Sequence, residues 1–367
     1  MSIFDQMAKR DHEQLIFCHD EVTGLKAIVG IHDTTLGPAL GGTRMWHYTS
    51  EEEAVRDVLR LSRGMTYKSA AAGLNLGGGK AVIIGDSKTM KNEFLWRSYG
   101  RFIQGIGGRY ITAEDVGTSV QDMEWVRMET DYVVGISRAL GGSGDPSPVT
   151  ALGTYEGIKA SLKWTTGNES LAGRKVAIQG AGHVGYYLTK YLVEEGAHVF
   201  ICDIFAEALA RVTKDFNGVE VVAPDAIYDV DADVFAPCAL GAVVNDETIP
   251  RLKCSVVAGS ANNILGDEVK HAKALAERDI LYAPDYVVNA GGLINVANEL
   301  EGYNQERALK HARSIYDITT QIFRIAREEE VTTVQAANTL AERRIAAVAK
   351  MNDRYVRHQP KRYDRGQ

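Results

Sequence analysis

Six residues, Gly180-Ala181-Gly182-His183-Val184-Gly185, constrain the fold of this chain more than any other stretch. An apolar run at 176–179 precedes them and reads as a strand; the segment 183–194 has helical spacing. In that context Gly180 permits a tight turn and Gly182 lets the backbone approach a pyrophosphate. Gly185 lets the helix pack closely on the strand. The helix start offers free N–H groups and partial positive charge to phosphates. A strand at 199–202 then ends in Asp203, whose carboxylate suits a ribose 2′-hydroxyl and repels a 2′-phosphate. Further strands are expected at 221–222, 234–236, 255–258 and 280–283, alternating with helices. The series predicts an α/β fold with a parallel sheet and right-handed crossovers.

A chain of 367 residues is long for one core and predicts two domains. The best linker candidate is 141–148, where glycine and proline cluster. Residues 1–146, joined by about 335–367, are expected to form one domain and 147–334 the other. A net charge of −7 and a pI near 5.8 argue against nucleic acid or an anionic membrane as partner. The tail from Arg354 to Arg365 is locally basic and reads as a solvated or subunit-contacting end. Cys18, Cys202, Cys238 and Cys254 are scattered, which suits free thiols in the cytoplasm rather than a zinc site. His12, His19, His32 and His47 lack metal-ligand spacing, so no metal is expected. The start lacks the basic and apolar regions of a signal peptide, and no long apolar run predicts a membrane span.

The first half carries a different signal. The run Gly73-Leu74-Asn75-Leu76-Gly77-Gly78-Gly79-Lys80 ends in a lysine, with Lys68 upstream. It is not a phosphate loop, because that motif needs a glycine where Leu74 stands and Ser or Thr where Ala81 stands. Two readings remain: a flexible glycine loop with a surface lysine, or a lysine on a bare backbone that a small molecule approaches closely. Strands are expected at 15–18, 25–32, 81–84 and 109–112. Helices are expected at 51–63, with Ser50 as N-cap, at 92–105 and at 150–164. The strand at 109–112 delivers Glu114 and Asp115 at its C-terminal end, where open α/β sheets place ligands. Asp115 alone could equally be a strand-end cap; Glu114 should face the other way and is read as structural. Long helices are expected at 306–327 and 333–350.

Several segments together resemble the glutamate, leucine, phenylalanine and valine group of amino-acid dehydrogenases. Residues 66–80 resemble its substrate signature, 37–44 its first substrate-side loop, and 112–117 its catalytic aspartate segment. Residues 236–241, 258–263 and 283–292 resemble segments of its nucleotide domain. The likeness runs from about Leu15 to Glu342. It implies an N-terminal α/β substrate domain facing a doubly wound Rossmann domain across a cleft, with the C-terminal helix returning to the first domain. It implies NAD as cofactor and reversible oxidative deamination of an L-amino acid to the 2-oxo acid and ammonia. Lys68 would bind the α-carboxylate, Lys80 would be the general base and Asp115 would relay protons. Leu40, Gly41, Gly42, Met65, Ala113, Asn262, Leu293 and Val296 would line the substrate site. Cys238, Ala239, Ala261, Asn262 and Asn289 would join the glycine fingerprint and Asp203 on the cofactor. A homo-oligomer is implied, an octamer first, with dimer or tetramer as alternatives.

The chemistry wants such residues. The amine must be neutral to push electrons as the α-hydrogen leaves, so a base near pH 7 is needed. Two ammonium groups in one closed cleft repel, and burial disfavours charge further. That should lower Lys80 while Lys68 stays charged against the carboxylate. Glutamate enzymes of this group place a lysine where Leu40 stands and a serine where Val296 stands, so an apolar substrate is expected. L-Leucine and other branched-chain amino acids fit best, with phenylalanine or valine as the alternative main substrate. A silent NAD-binding regulator has no need of Lys68, Lys80 and Asp115 together. A hydroxy-acid dehydrogenase would want a histidine–acid pair, which does not stand out.

Overall fold

The computed structural model describes residues 2–354; the basic tail falls almost entirely outside them. The first half runs α1 (Ile3–Ala8), β1 (Gln14–Asp20), β2 (Leu25–Asp33), β3 (Ala39–Trp46), α2 (Glu51–Ala71), β4 (Gly77–Ile84), α3 (Glu93–Gly105), β5 (Tyr110–Glu114) and α4 (Val120–Arg127). Its five strands form one mixed sheet in the order β1-β2-β4-β3-β5. Strands β1, β2 and β4 pair antiparallel, whereas β3 lies parallel to both β4 and β5. Segment 37–44, read above as a loop, is therefore mostly a central strand. Its two glycines hid that, because they carry no apolar alternation.

The glycine run needs a larger correction. Gly77, Gly78 and Gly79 belong to β4, so Lys80 sits inside a strand and is only 5% exposed. A Cβ on Gly78 would lie 2.0 Å from the backbone nitrogen of Thr66, and one on Gly79 would lie 2.5 Å from the Tyr110 ring. The missing bulk lets α2 lie flush on the sheet; protein, not ligand, takes that space. Helix α2 also runs to Ala71, further than expected, with Ser50 Oγ accepting from the Glu53 N–H at 3.2 Å. It thereby carries Lys68 over β4.

After irregular residues at 142–146 the chain enters α5 (Ser147–Thr166). Next come β6 (Lys175–Gln179), α6 (His183–Glu194), β7 (His198–Cys202), α7 (Ala206–Asp215), β8 (Val219–Val221), β9 (Val234–Pro237), β10 (Val256–Val257), α8 (Glu268–Ala276) and β11 (Leu281–Tyr282). The six strands form a wholly parallel sheet in the order β11-β10-β9-β6-β7-β8. Strand order reverses between β6 and β9, the switch point where doubly wound sheets hold ligands. Helices α9 (Asp285–Val288), α10 (Gly291–Ala297), α11 (Gln305–Arg313), α12 (Ile315–Glu328) and α13 (Thr333–Arg354) complete the described chain. The single helix expected at 306–327 is broken at Ser314, whose hydroxyl turns back to the His311 carbonyl at 2.7 Å.

Helix α13 returns to the first half and packs on α2. Ala341, Ile345 and Val348 meet Leu36, Tyr67 and Ala70. Arg344 donates to the carbonyls of Ala70, Gly73 and Leu74 and to Asn75 Oδ1. His311 Nε2 bonds the Ala72 carbonyl at 2.9 Å. The carbonyls left without a helical partner at the C-terminal end of α2 are thus met by groups from α11 and α13.

Two histidines tie the start of the chain to this same helix. His32 Nε2 bonds the Arg10 carbonyl at 2.9 Å, and its Nδ1 bonds Thr66 Oγ1 at 2.8 Å. A carbonyl only accepts, so Nε2 carries the proton and Nδ1 accepts from the hydroxyl. The His12 ring stands edge-on at 4.7 Å, and burial lowers both rings, His32 to about 4. The unfolded chain, with His32 near 6.5, takes up the proton first as pH falls. The stabilisation is therefore complete above 6.5 and is lost between 6.5 and about 4, a difference of about 3 kcal/mol for His32. The urea midpoint should fall from pH 7 to pH 5, and His32→Gln should flatten that slope. An unchanged slope in the variant would remove His32 as its source.

Candidate active site

Asp115 leaves the end of β5 beside β3 and β4. A Cβ on Gly42 would lie 2.9 Å from the Asp115 Cβ, so the absence of a side chain there lets the aspartate sit against the sheet. Gly41 is equally tight, its imagined Cβ 1.8 Å from the Gly79 carbonyl oxygen. Both glycines, expected to line the substrate site, have this packing reason of their own. Asp115 Oδ2 meets Lys80 Nζ at 3.1 Å and Arg44 Nε at 3.0 Å. Among the described residues nothing donates to Oδ1.

Burial pushes the Asp115 carboxyl up, but Lys80 and Arg44 outweigh it and hold the group below its usual range. Burial pushes Lys80 down; Asp115 pulls it back up, and Arg44 lowers it further. The expected direction holds, but the cation beside Lys80 that matters most is Arg44 rather than Lys68. Lys68 is itself lowered to about 8, first by burial and then by Lys80, against the pull of Asp285 and Asp115. Lys68 thus feels the charges of both Lys80 and Asp115.

Lys68 reaches across to the second half. Its Nζ donates to Asn289 Oδ1 at 2.6 Å, and Asn289 Nδ2 donates to Asn262 Oδ1 at 2.9 Å and to the Ser260 carbonyl at 3.1 Å. This chain of amides links the first-half lysine to the segment after β10. Beside it, Leu40, Ala113 and Leu293 are buried in one apolar cluster, with Met65 and Val296 packed against it. All five expected apolar pocket residues therefore lie together, and Val134, not singled out in the sequence, joins them.

The glycine fingerprint lies at the switch point. Gly180, with φ +111°, lies where a Cβ would be 2.8 Å from the Ala239 Cβ, and the Cys238 N–H donates to the Gln179 carbonyl at 2.7 Å. Nothing stands within 4 Å of a Cβ built on Gly182, the N-cap of α6, whose side-chain cap is absent. That leaves an open cradle faced by helix N–H groups, which fits a pyrophosphate. His183 and Val184 begin that helix, and Gly185 packs 2.0 Å (imagined Cβ) from the Gly180 carbonyl oxygen. Asp203 Oδ2 accepts from the Ala181 N–H at 2.7 Å and Oδ1 from the Phe205 N–H at 2.9 Å. The Ala261 N–H donates to the Pro237 carbonyl at 2.9 Å, closing the neighbouring strand ends together. Among the described residues no group of three or more His, Cys, Asp or Glu side chains could hold a metal ion.

Arg44 and Asp285 lie within the family-like segments 37–44 and 283–292 without a role legible in the sequence, and neither Asp57 nor Tyr48 carries a sequence signal. The available signal for Arg44 was a lone charge in an otherwise buried strand. Asp57 and Asp285 become visible only when α2 and α9 are folded against the lysines.

Two family models match: Glu/Leu/Phe/Val dehydrogenase, dimerisation domain, over residues 12–132, and Glutamate/Leucine/Phenylalanine/Valine dehydrogenase, over 141–204 and 205–353. The chain is 59% identical over 359 residues to leucine dehydrogenase from Thermoactinomyces intermedius, covering 98% of each. It is 50% identical to phenylalanine dehydrogenase from Bacillus thermotolerans, covering 97% of this chain and 93% of that one. The crystal structure of L-tryptophan dehydrogenase from Nostoc punctiforme superposes with a TM-score of 0.85 at 47% identity, over 95% of this chain and 99% of that one. With matches of this extent, and with a glycine cradle on one sheet and a buried lysine–aspartate pair on the other, the chain belongs to the Glu/Leu/Phe/Val dehydrogenase family of amino-acid oxidoreductases, which use a nicotinamide cofactor.

Proposed function

We propose that the chain catalyses the NAD-dependent, reversible oxidative deamination of L-leucine and other branched-chain L-amino acids. One amino acid, one oxidised cofactor and one water give one 2-oxo acid, one ammonium ion, one reduced cofactor and one proton. The observation that carries this reading is the meeting of Lys68, Lys80 and Asp115 beside the apolar cluster of Leu40, Met65, Ala113, Leu293 and Val296. The higher identity to leucine than to phenylalanine dehydrogenases supports leucine as the main substrate.

Lys68 binds the α-carboxylate, whose charge restores the ammonium that burial disfavours. Lys80, lowered by burial, takes the proton from the α-ammonium and leaves a neutral amine. The nicotinamide, when bound, accepts the α-hydrogen with its bonding electrons. Lys80 releases that first proton to solvent, and water then adds to the iminium carbon as the neutral Lys80 takes its proton. That proton passes from Lys80 by way of Asp115 to the carbinolamine nitrogen, which leaves as ammonia and carries off the hydroxyl proton as the C=O bond forms. The Asn289–Asn262 pair orients the substrate against the cofactor side of the cleft. Gly41 and Gly42 hold the strand on which the substrate lies, and Cys238, Ala239 and Ala261 frame the cofactor. Asp203 favours NAD over NADP by repelling a 2′-phosphate.

The domain division at 146/147, with α13 joining the first domain, belongs to this proposal; the packing of α13 on α2 supports it. So does a homo-oligomer, octameric by preference, for which Phe17 on the edge strand β1 and Phe94 on α3 offer exposed apolar surface. Cytoplasmic residence is supported by the four free cysteines. Among the described residues no helix is long and apolar enough to cross a membrane. The test is cofactor oxidation with ammonia and a branched 2-oxo acid. NADH should be consumed only when both are present, and NADPH should be at least about tenfold slower. No ammonia dependence would end the proposal.

A further inference from the structure

The catalytic aspartate has a second cation behind it. Arg44 lies on β3 two positions after Gly42, and so on the face that Asp115 covers. Its Nε donates to Asp115 Oδ2 at 3.0 Å, the same oxygen that Lys80 contacts. Its Nη1 donates to Asp57 Oδ2 at 3.0 Å. Asp57, on α2, is held in turn by the Tyr48 hydroxyl at 2.8 Å and by Arg60 at 2.9 Å. The main chain of Asp115 is pinned separately, its N–H donating to Thr118 Oγ1 at 2.7 Å. One carboxylate oxygen is therefore fully claimed and the other is left for whatever enters the cleft.

We propose that Arg44 is a positioning residue for the reaction: with Asp57 and Tyr48 behind it, it decides which Asp115 oxygen meets the substrate and keeps a second positive charge beside Lys80. This rests on the deamination reading above. A guanidinium suits the task because its planar fork joins two carboxylates at fixed angles, which a lysine cannot do. The charged and titratable groups around the pair are Asp115, Arg44, Asp57 and Lys68, with Tyr48, Tyr110 and Glu114 at its edge. Among these groups Arg44 touches the Asp115 carboxylate without taking part in the proton transfers. Without it, the Asp115 carboxylate would pair with Lys80 alone and pull harder on the Lys80 proton. Direct repulsion of the Lys80 ammonium by Arg44 would vanish as well. Both changes move the base in one direction, toward retaining its proton at higher pH.

The back of the arginine is accessible. An open cleft of about 410 Å3, lined by Arg44, Tyr48, Asp57, Arg56 and Trp46, reaches it from solvent. A small cation can therefore enter where a truncated side chain leaves room.

The experiment compares wild type, Arg44→Ala and Arg44→Lys in the oxidative direction, with NADH binding followed by fluorescence as a check on the fold. Arg44→Ala should lower kcat by roughly ten- to a hundredfold with cofactor affinity retained. The acid limb of its kcat/KM profile should move up by about half to one pH unit. Guanidinium chloride at tens of millimolar should restore part of the lost rate, with sodium chloride as the inactive control. Arg44→Lys should keep the acid limb near the wild-type position while losing kcat, because it keeps the charge and loses the fork. A kcat loss with an unmoved acid limb and no rescue would reduce Arg44 to a packing residue. Wild-type turnover in Arg44→Ala would overturn the proposal outright. If Arg44→Ala does not bind NADH, Arg44→Lys decides: wild-type kcat there overturns the positioning role, and a lowered kcat with an unmoved limb upholds it. Lys80→Ala is assayed beside them; full activity in that variant would fault the deamination mechanism itself, whatever Arg44 shows.

Discussion

Replacing Lys80 with alanine should lower kcat by about a thousandfold, within the range that general-base catalysis contributes, and should leave NADH affinity within roughly twofold. The reason is local. Lys80 is the buried amine in contact with Asp115, and the fingerprint proposed to carry the cofactor lies on the other sheet. Removing a side chain that is 5% exposed also leaves a cavity, so Lys80→Met, which keeps most of the stem, separates lost chemistry from lost packing. Both variants should fail alike in turnover while the methionine variant melts closer to wild type. The wild-type acid limb should fall below the ordinary lysine range, since burial lowers the amine in the folded protein. Turnover within tenfold of wild type in Lys80→Met would assign the base to another group.

The second large effect concerns the side chain of the substrate. Leucine should exceed glutamate in kcat/KM by at least about a thousandfold. A second carboxylate would sit against Leu40, Ala113, Leu293 and Val296, apolar side chains that offer it no charge partner. Leaving that charge unpaired costs at least about 4 kcal/mol, which converts to that ratio. Differences among leucine, isoleucine and valine should stay within about 10–200-fold, since a methylene in an apolar pocket is worth only about 1–3 kcal/mol. Leu40→Lys should narrow the gap to glutamate by placing an ammonium in the pocket wall. Comparable rates for leucine and glutamate in the wild type would mean that the apolar cluster does not contact the substrate side chain.

What the sequence disclosed divides along physical lines. The nucleotide half was legible almost strand by strand, because each βαβ unit announces itself through an apolar run, a turn and a helix. Helix 183–194 and its glycine turn fall where they were expected. The first half was less legible. Strand β3 carries Gly41 and Gly42, and β4 carries three glycines, so neither shows the alternation by which strands are recognised. Their glycines answer to neighbours distant in sequence, Asp115 for Gly42 and Thr66 for Gly78. Helices α4, α7, α8 and α10 are short and were passed over for want of a long periodic stretch. In the site, the lysines and Asp115 stood out by residue type. Arg44 and Asp57 did not, since an arginine and an aspartate thirteen residues apart become a pair only when α2 folds across β3. The balance of forces on Lys80 was likewise out of reach, because Arg44 rather than Lys68 is the cation that presses on it most.

The reach of Arg344 to the end of α2 has a consequence for how the protein is made. The Leu74 carbonyl and its partner are 270 residues apart. A ribosome adding about 5–20 residues per second delivers that arginine roughly 15–50 s after the carbonyl emerges. For that interval the nascent N-terminal half bears an uncovered apolar strip at Leu36, Tyr67 and Ala70. Helix α2, which carries Lys68, therefore gains its last covering contacts only once α13 has been made.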